Sequence, residues 1–258
     1  MSSATRTLLV WLAAAACAGA ARAEPLYILA VGETLASNCH AQVFPAESGV
    51  YQLGPEGEER PAADPLGGAD CTRGSVWMPL GRRLREARHA EKVVFLPVGA
   101  EGTRMADWLG KGAAQARLAA ALRMARAKHI RFDYVLWLQG ASDRGSDPRR
   151  YQQGLGQVLK QIRLGVVDAG KILVARHSGC GGQSDPALRH AQAEFARNAH
   201  LRIFPGPDAD AVGTTFRSEA CQLDPAGQEE MARRWAEAID AADKASTAIR
   251  KETLLYWF

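Results

Sequence analysis

Five short segments hold most of the residue types from which a reactive site could be built. Gly32-Glu33-Thr34 offers an acid beside a hydroxyl. Gly102-Thr103-Arg104 runs on to Trp108 and adds a cation and an indole. Gln139-Gly140-Ala141-Ser142-Asp143 supplies an amide, a hydroxyl and an acid. Arg176-His177-Ser178 brings an imidazole. Arg217 to Gln222 carries Glu219, Cys221 and Gln222 just before Asp224-Pro225. The Thr34 hydroxyl reads either as a nucleophile or as a turn residue bonding its own backbone. Glu33 and Glu219 read either as surface acids of loops or as acids of a site, and Asp143 as a turn or cap residue. Arg104 is a candidate to bind a carboxylate. Trp108 is a candidate sugar-stacking platform, with plain packing as the rival reading for it and for Trp137. His40 and His177 stand where they could approach the same rim. No cluster has metal-ligand spacing and no glycine-rich loop matches a phosphate cradle, so neither metal nor cofactor is expected.

Four of these segments follow short, nearly continuous apolar runs, and the fifth precedes a helix. The runs are Leu26–Val31, Lys92–Val98, Phe132–Leu138, Lys171–Ala175 and Leu201–Phe204, the pattern of parallel strands covered on both faces. Helical periodicity lies between them. Val76 to Arg88 and Ala113 to Lys128 are two helices. A third carries the stripe Tyr151, Leu155, Val158, Leu159 and Ile162. Asp147-Pro148, Asp185-Pro186 and Asp224-Pro225 each place an N-cap acid before a proline at the first helical position. The alternation predicts a three-layer α/β/α sandwich around a central five-stranded parallel sheet. In such a sheet ligands bind beyond the carboxyl ends of the strands, where the five segments fall. Phe44 to Gly74, rich in Pro, Gly and Glu, is expected to be a long loop over one end of the sheet.

The chain has 258 residues, 47% hydrophobic and 23% charged, which excludes disorder, collagen and coiled coil. Residues 1–23 read as a cleavable signal peptide, with Arg6, an apolar stretch from Leu8 to Ala16 and a small-x-small site at Ala21-Arg22-Ala23. The stretch is too short and alanine-rich for a good membrane span. Residues 24–245 then form one domain, and 246–258 a tail ending in Leu254, Leu255, Tyr256, Trp257 and Phe258. Removing the peptide lowers the net charge from +4 to +2, which gives no electrostatic case for nucleic acid. Cys17 leaves with the peptide. Cys39, Cys71, Cys180 and Cys221 allow three pairings in an exported protein, of which Cys39–Cys71 with Cys180–Cys221 is the expected one.

Taken in order, the five segments resemble the SGNH (GDSL-like) hydrolases, and among them the sialate O-acetylesterase-like carbohydrate esterases. The resemblance spans about residues 26 to 240. It implies a flavodoxin-like SGNH fold and acyl transfer: a serine after the first strand attacks an acetyl ester, and a histidine before the last helix, oriented by an acid, takes its proton. Backbone amides and a side chain of the third block hold the oxyanion. Carried onto this chain, the catalytic positions are Thr34, Glu219 and Gln222. The oxyanion positions are Gly102, Gln139 and Gly140, and Arg104, Trp108 and His177 are candidate ligand contacts. The departures fall on the chemistry: Thr34 stands for serine, Ala141 for the glutamate of Gln-Gly-Glu-Ser-Asp, Glu219 for aspartate and Gln222 for histidine.

The sequence therefore leads to an exported protein with the esterase scaffold and an impaired site that binds glycan or acetylated ligands. One alternative is an active O-acetylesterase using Thr34 with Glu219, His40 or His177. Another is a structural or interaction protein with a protein partner at the aromatic tail. Secretion or residence in the periplasm is expected, with no nucleic acid and no membrane partner once the signal is removed.

Overall fold

The computed structural model describes residues 24–255 apart from His89 and Gly181, with side chains as far as Ile249. The expected signal peptide, and Tyr256 to Phe258, lie outside the described residues.

The strands are β1 (Leu26–Gly32), β2 (Val50–Leu53), β3 (Glu59–Pro61), β4 (Val93–Gly99), β5 (Tyr134–Leu138), β6 (Lys171–Arg176) and β7 (Ile203–Asp208). The helices are α1 (Trp77–Arg88), α2 (Ala113–Ala127), α3 (Pro148–Gly165), α4 (Pro186–Phe195) and α5 (Pro225–Leu255). The strands form one sheet in the order β3-β2-β4-β1-β5-β6-β7, parallel except for β3, which runs antiparallel to β2. The five expected strands are present. The correction is at the edge: the segment read as a loop contributes β2 and β3, making seven strands. These two are so short, and so broken by Gly and Pro, that no apolar run announces them.

Both faces of the sheet are covered, which explains the continuous apolar strands. Along β1, Ile28 and Ala30 enter the core under α1 and α5, while Leu29 and Val31 enter the core under α2, α3 and α4. Trp77 of α1 packs against Trp235 of α5 with ring centroids 6.0 Å apart. The three Asp-Pro signals act as read: Asp147 accepts from the Arg149 amide, Asp185 from Ala187 and Leu188, and Asp224 from Gly227. Helix α5 continues without interruption across the expected boundary at residue 245, so the tail begins as helix.

The expected disulfides form, Cys39–Cys71 and Cys180–Cys221. The first ties the turn after β1 to the loop before α1. The second ties the loop after β6 to the segment before α5. Both therefore brace the end of the sheet where the strands terminate.

Candidate active site

β1 ends at Gly32 and the chain turns at once into a short 3-10 turn, Thr34–Ala36. The Thr34 hydroxyl is nearly buried, 8% exposed, and accepts a hydrogen bond from the Gly102 amide at 3.3 Å. Gly102 has φ +64°, a conformation that aims this amide and that favours glycine. Thr34 and Gly102 thus stand together as a hydroxyl and an amide donor, the pairing an oxyanion site requires.

Glu33 is not a surface acid. It is 1% exposed, and its carboxylate accepts from the amides of Gly140 at 2.7 Å and Ser142 at 3.3 Å and from the Ser142 hydroxyl. The turn that lacks a glutamate at Ala141 is therefore filled by a carboxylate from the neighbouring strand end. This corrects the expectation for Gly140, whose amide is occupied by Glu33 and is not free for an oxyanion. Gly140 itself sits where a Cβ would meet the His177 carbonyl oxygen at 1.9 Å, so nothing larger fits. Gln139 is corrected too: it is fully buried, and its Nε2 donates to the Thr103 carbonyl at 3.0 Å and to Asp143 at 2.6 Å. Asp143 also accepts from the Met105 amide, as a cap residue does. Burial pushes its carboxyl above the ordinary value despite these donors.

Trp108 is not a sugar platform. It is fully buried, donates to the Thr103 hydroxyl at 3.1 Å and packs edge-on against Trp137 at 5.4 Å. His177 is likewise fully buried and cannot touch a ligand. Its Nδ1 faces Asp210 at 3.3 Å, and its Nε2 lies 3.9 Å from Glu33, beyond hydrogen-bond reach. Burial acts to raise the Asp210 carboxyl, but hydrogen bonds from His177 and Ser178 outweigh it and hold the group well below the usual carboxylate range. Arg104 remains exposed on the rim.

His40 is consumed as well. It is fully buried: the Leu223 amide donates to its Nδ1 at 3.1 Å, so Nε2 carries the proton and donates to the Leu35 carbonyl at 3.2 Å. It pins the Thr34 turn to the last block. Burial lowers its pKa to about 4, so it stays neutral at physiological pH.

Gln222 sits on the same rim, reached through a chain of bonds: the Arg73 amide donates to the Asn38 carbonyl at 2.9 Å, and Arg73 Nη1 donates to Gln222 Oε1 at 3.0 Å. Glu219 lies at the tip of the hairpin closed by the Arg217–Leu223 bridge and is exposed, and among the described residues no hydrogen bond or ion pair joins it to Gln222 or Thr34. The three catalytic positions therefore do not form a connected relay. Sequence reasoning missed Arg73 and Asp210, both loop residues with no motif around them. Beside the Cys180–Cys221 disulfide a cavity of about 450 Å³ opens, lined by Arg189, Asp210, Thr214 and Arg217 among others. Cys39, Cys71 and Glu101 bring potential ligand atoms within 4.8 Å, but both sulfurs are engaged in the disulfide.

Comparison with known proteins resolves the lineage. The family described as "Carbohydrate esterase, sialic acid-specific acetylesterase" matches residues 32–241. The chain belongs to this family. Among solved structures it is similar to a protein from Arabidopsis thaliana (16% identity, TM-score 0.65, covering 84% of this chain and 98% of that one). It is similar to NanS (14% identity, TM-score 0.61, 84% and 97%). It also resembles a catalytic mutant of an acetylxylan esterase from Geobacillus stearothermophilus (13% identity, TM-score 0.52, 84% and 94%). At these identities the likeness shows the SGNH fold. No curated protein matches the chain. In this member of the family, the Thr34 hydroxyl accepts from the Gly102 amide, and the Gln222 side chain accepts from Arg73.

Proposed function

We propose that this carbohydrate esterase relative binds glycans or O-acetylated ligands at the Thr34 rim and turns them over poorly or not at all. One observation carries the reading: the Thr34 hydroxyl receives the Gly102 amide, and among the described residues no base reaches it. Gln222 cannot accept a proton near neutral pH, and its carbonyl is held by Arg73. His40 is fully buried with both ring nitrogens engaged, and His177 is fully buried with Nδ1 facing Asp210, which supports the reading over an altered constellation that uses either histidine. Arg104, exposed beside Gly102, and the free Nε2 of Gln222 supply hydrogen-bond donors for carbonyl or carboxylate groups. The family match supports a carbohydrate or acetylated ligand. The two disulfides support export to an oxidising compartment. Titration with a panel of O-acetylated and de-acetylated sugars, followed by NMR of the sugar, tests this. The expected result is saturable line broadening of an acetylated sugar whose acetyl resonance persists for hours. Steady loss of that resonance contradicts impairment, and no broadening by any sugar contradicts the binding role.

A further inference from the structure

The end of the molecule remote from Thr34 carries an unusual surface. Only four large hydrophobic side chains among the described residues are conspicuously exposed, and three are gathered here: Leu164 at 68%, Val167 at 41% and Leu201 at 50%. Leu164 and Leu201 line one groove of about 460 Å³ with Leu159, Phe195 and Ile203 along its apolar wall, and Lys160 and Arg163 as its charged members. Apolar exposure of this kind marks an interaction surface.

The surrounding charge is predominantly basic. Arg163 donates to the Leu201 carbonyl, and Arg126 to the Leu164 carbonyl at 2.9 Å. Arg202 and Arg131 lie 3.4 and 4.0 Å from Asp168, next to Val167. Five cations, Arg126, Arg131, Lys160, Arg163 and Arg202, thus gather around the groove, with Asp168 among them and Asp133 beside Lys171 at the same end of the sheet. Helix α5, on the opposite face of the sheet, passes the same end of the strands, where Asp243 pairs with Lys171 at the start of β6, 3.0 Å apart. It then continues to Leu255, about 18 Å further at 1.5 Å per residue. Its sequence there includes Lys244, Arg250 and Lys251 and leads into Leu254 to Phe258.

We propose that this end docks on an anionic phospholipid surface, with Leu164 and Leu201 entering the interface, the basic residues facing the headgroups and the Thr34 rim directed away. Apolar side chains ringed by Lys and Arg suit a negatively charged bilayer surface better than a neutral one. The proposal departs from the sequence expectation of no membrane partner, and it is independent of what the Thr34 site does.

The test is co-sedimentation of the mature chain with phosphatidylcholine vesicles with and without 30% phosphatidylglycerol. Retention is expected on the anionic vesicles alone, falling as salt rises. A charge reversal, Lys160→Glu, should weaken partitioning about 30-fold, and Leu164→Glu with Leu201→Glu should abolish it. Lys160 is a groove-edge side chain, so its variant keeps the test valid if the double variant folds poorly. Equal retention on both vesicle types, retention untouched by Lys160→Glu, or no retention together with concentration-dependent dimers that Leu164→Glu dissolves would each overturn the proposal.

Discussion

Acetyl-ester turnover should rise by at least about 10³-fold when Thr34→Ser and Gln222→His are combined in one chain. Loss of the base of a hydroxyl-nucleophile triad costs on the order of 10⁶ in turnover, so restoring it reclaims the largest missing factor. Serine removes the methyl that stiffens the Thr34 side chain and crowds its approach to a carbonyl. The Gly102 amide already faces the hydroxyl, so one oxyanion donor is in place. A histidine at 222 would lie beside the Arg73 guanidinium, which now holds the Gln222 carbonyl; the neighbouring cation keeps an imidazole neutral and able to accept a proton, though it lowers its basicity. Ala141→Glu adds nothing by itself, because the Glu33 carboxylate already occupies the turn around Ala141 and a second acid would repel it. It belongs only with Glu33→Gln. Rates of p-nitrophenyl acetate hydrolysis for the single and double variants read the outcome directly. A flat response means that the segments around Thr34 and Gln222 have separated beyond repair by these two residues.

The second large effect is on stability. His40 is neutral and fully buried between the Leu35 carbonyl and the Leu223 amide, with its pKa lowered to about 4 from 6.5. In the unfolded chain it takes up a proton near pH 6.5; in the folded protein it resists until about pH 4. Its contribution is therefore fully present above pH 6.5 and is lost as pH falls from there toward 4, a change of about 3 kcal/mol from this group. The carboxyls of Asp64, Asp133 and Asp143, raised by burial, act in the opposite sense and soften the total at the acid end. Comparing wild type with His40→Gln isolates the histidine. Gln carries an acceptor and a donor but not the flat ring that fills this buried site, so the variant should lose about 1–3 kcal/mol at pH 7.5. It should then show a shallower decline between pH 6.5 and 4.5. Urea midpoints across that range measure both. Parallel pH profiles for the two proteins would contradict the assignment.

Much of the scaffold was legible because its signals are local. Val93 to Val98 and Tyr134 to Leu138 are apolar at every position or nearly so, and a strand buried on both faces needs nothing else. Asp-Pro marks three helix starts because an N-cap acceptor and a fixed φ are both local requirements. The edge pair β2–β3 was invisible: Glu59 to Pro61 is exposed at every residue and exists as a strand only because Tyr51 to Leu53 pairs with it. The site was read less well, for a related reason. Loop position says where a backbone runs and not which way a side chain turns. Trp108 follows a strand end yet packs on Trp137. His177 follows another and faces Asp210 in the interior. Glu33 looks like a loop acid and is the buried tie between two blocks. That Gln222 stands before the last helix was legible, since it depends only on the sequence; that a base is missing there is the reading we propose.

The rate of acetyl release from p-nitrophenyl acetate by the wild-type chain, set against that of Thr34→Ala at equal concentration and pH 7.5, tests the central claim most directly. A hydroxyl with an amide donor and no base predicts equal rates, both near the background of the buffer. A wild-type rate that exceeds that of Thr34→Ala by orders of magnitude would show a working nucleophile and contradict the assignment of an impaired site.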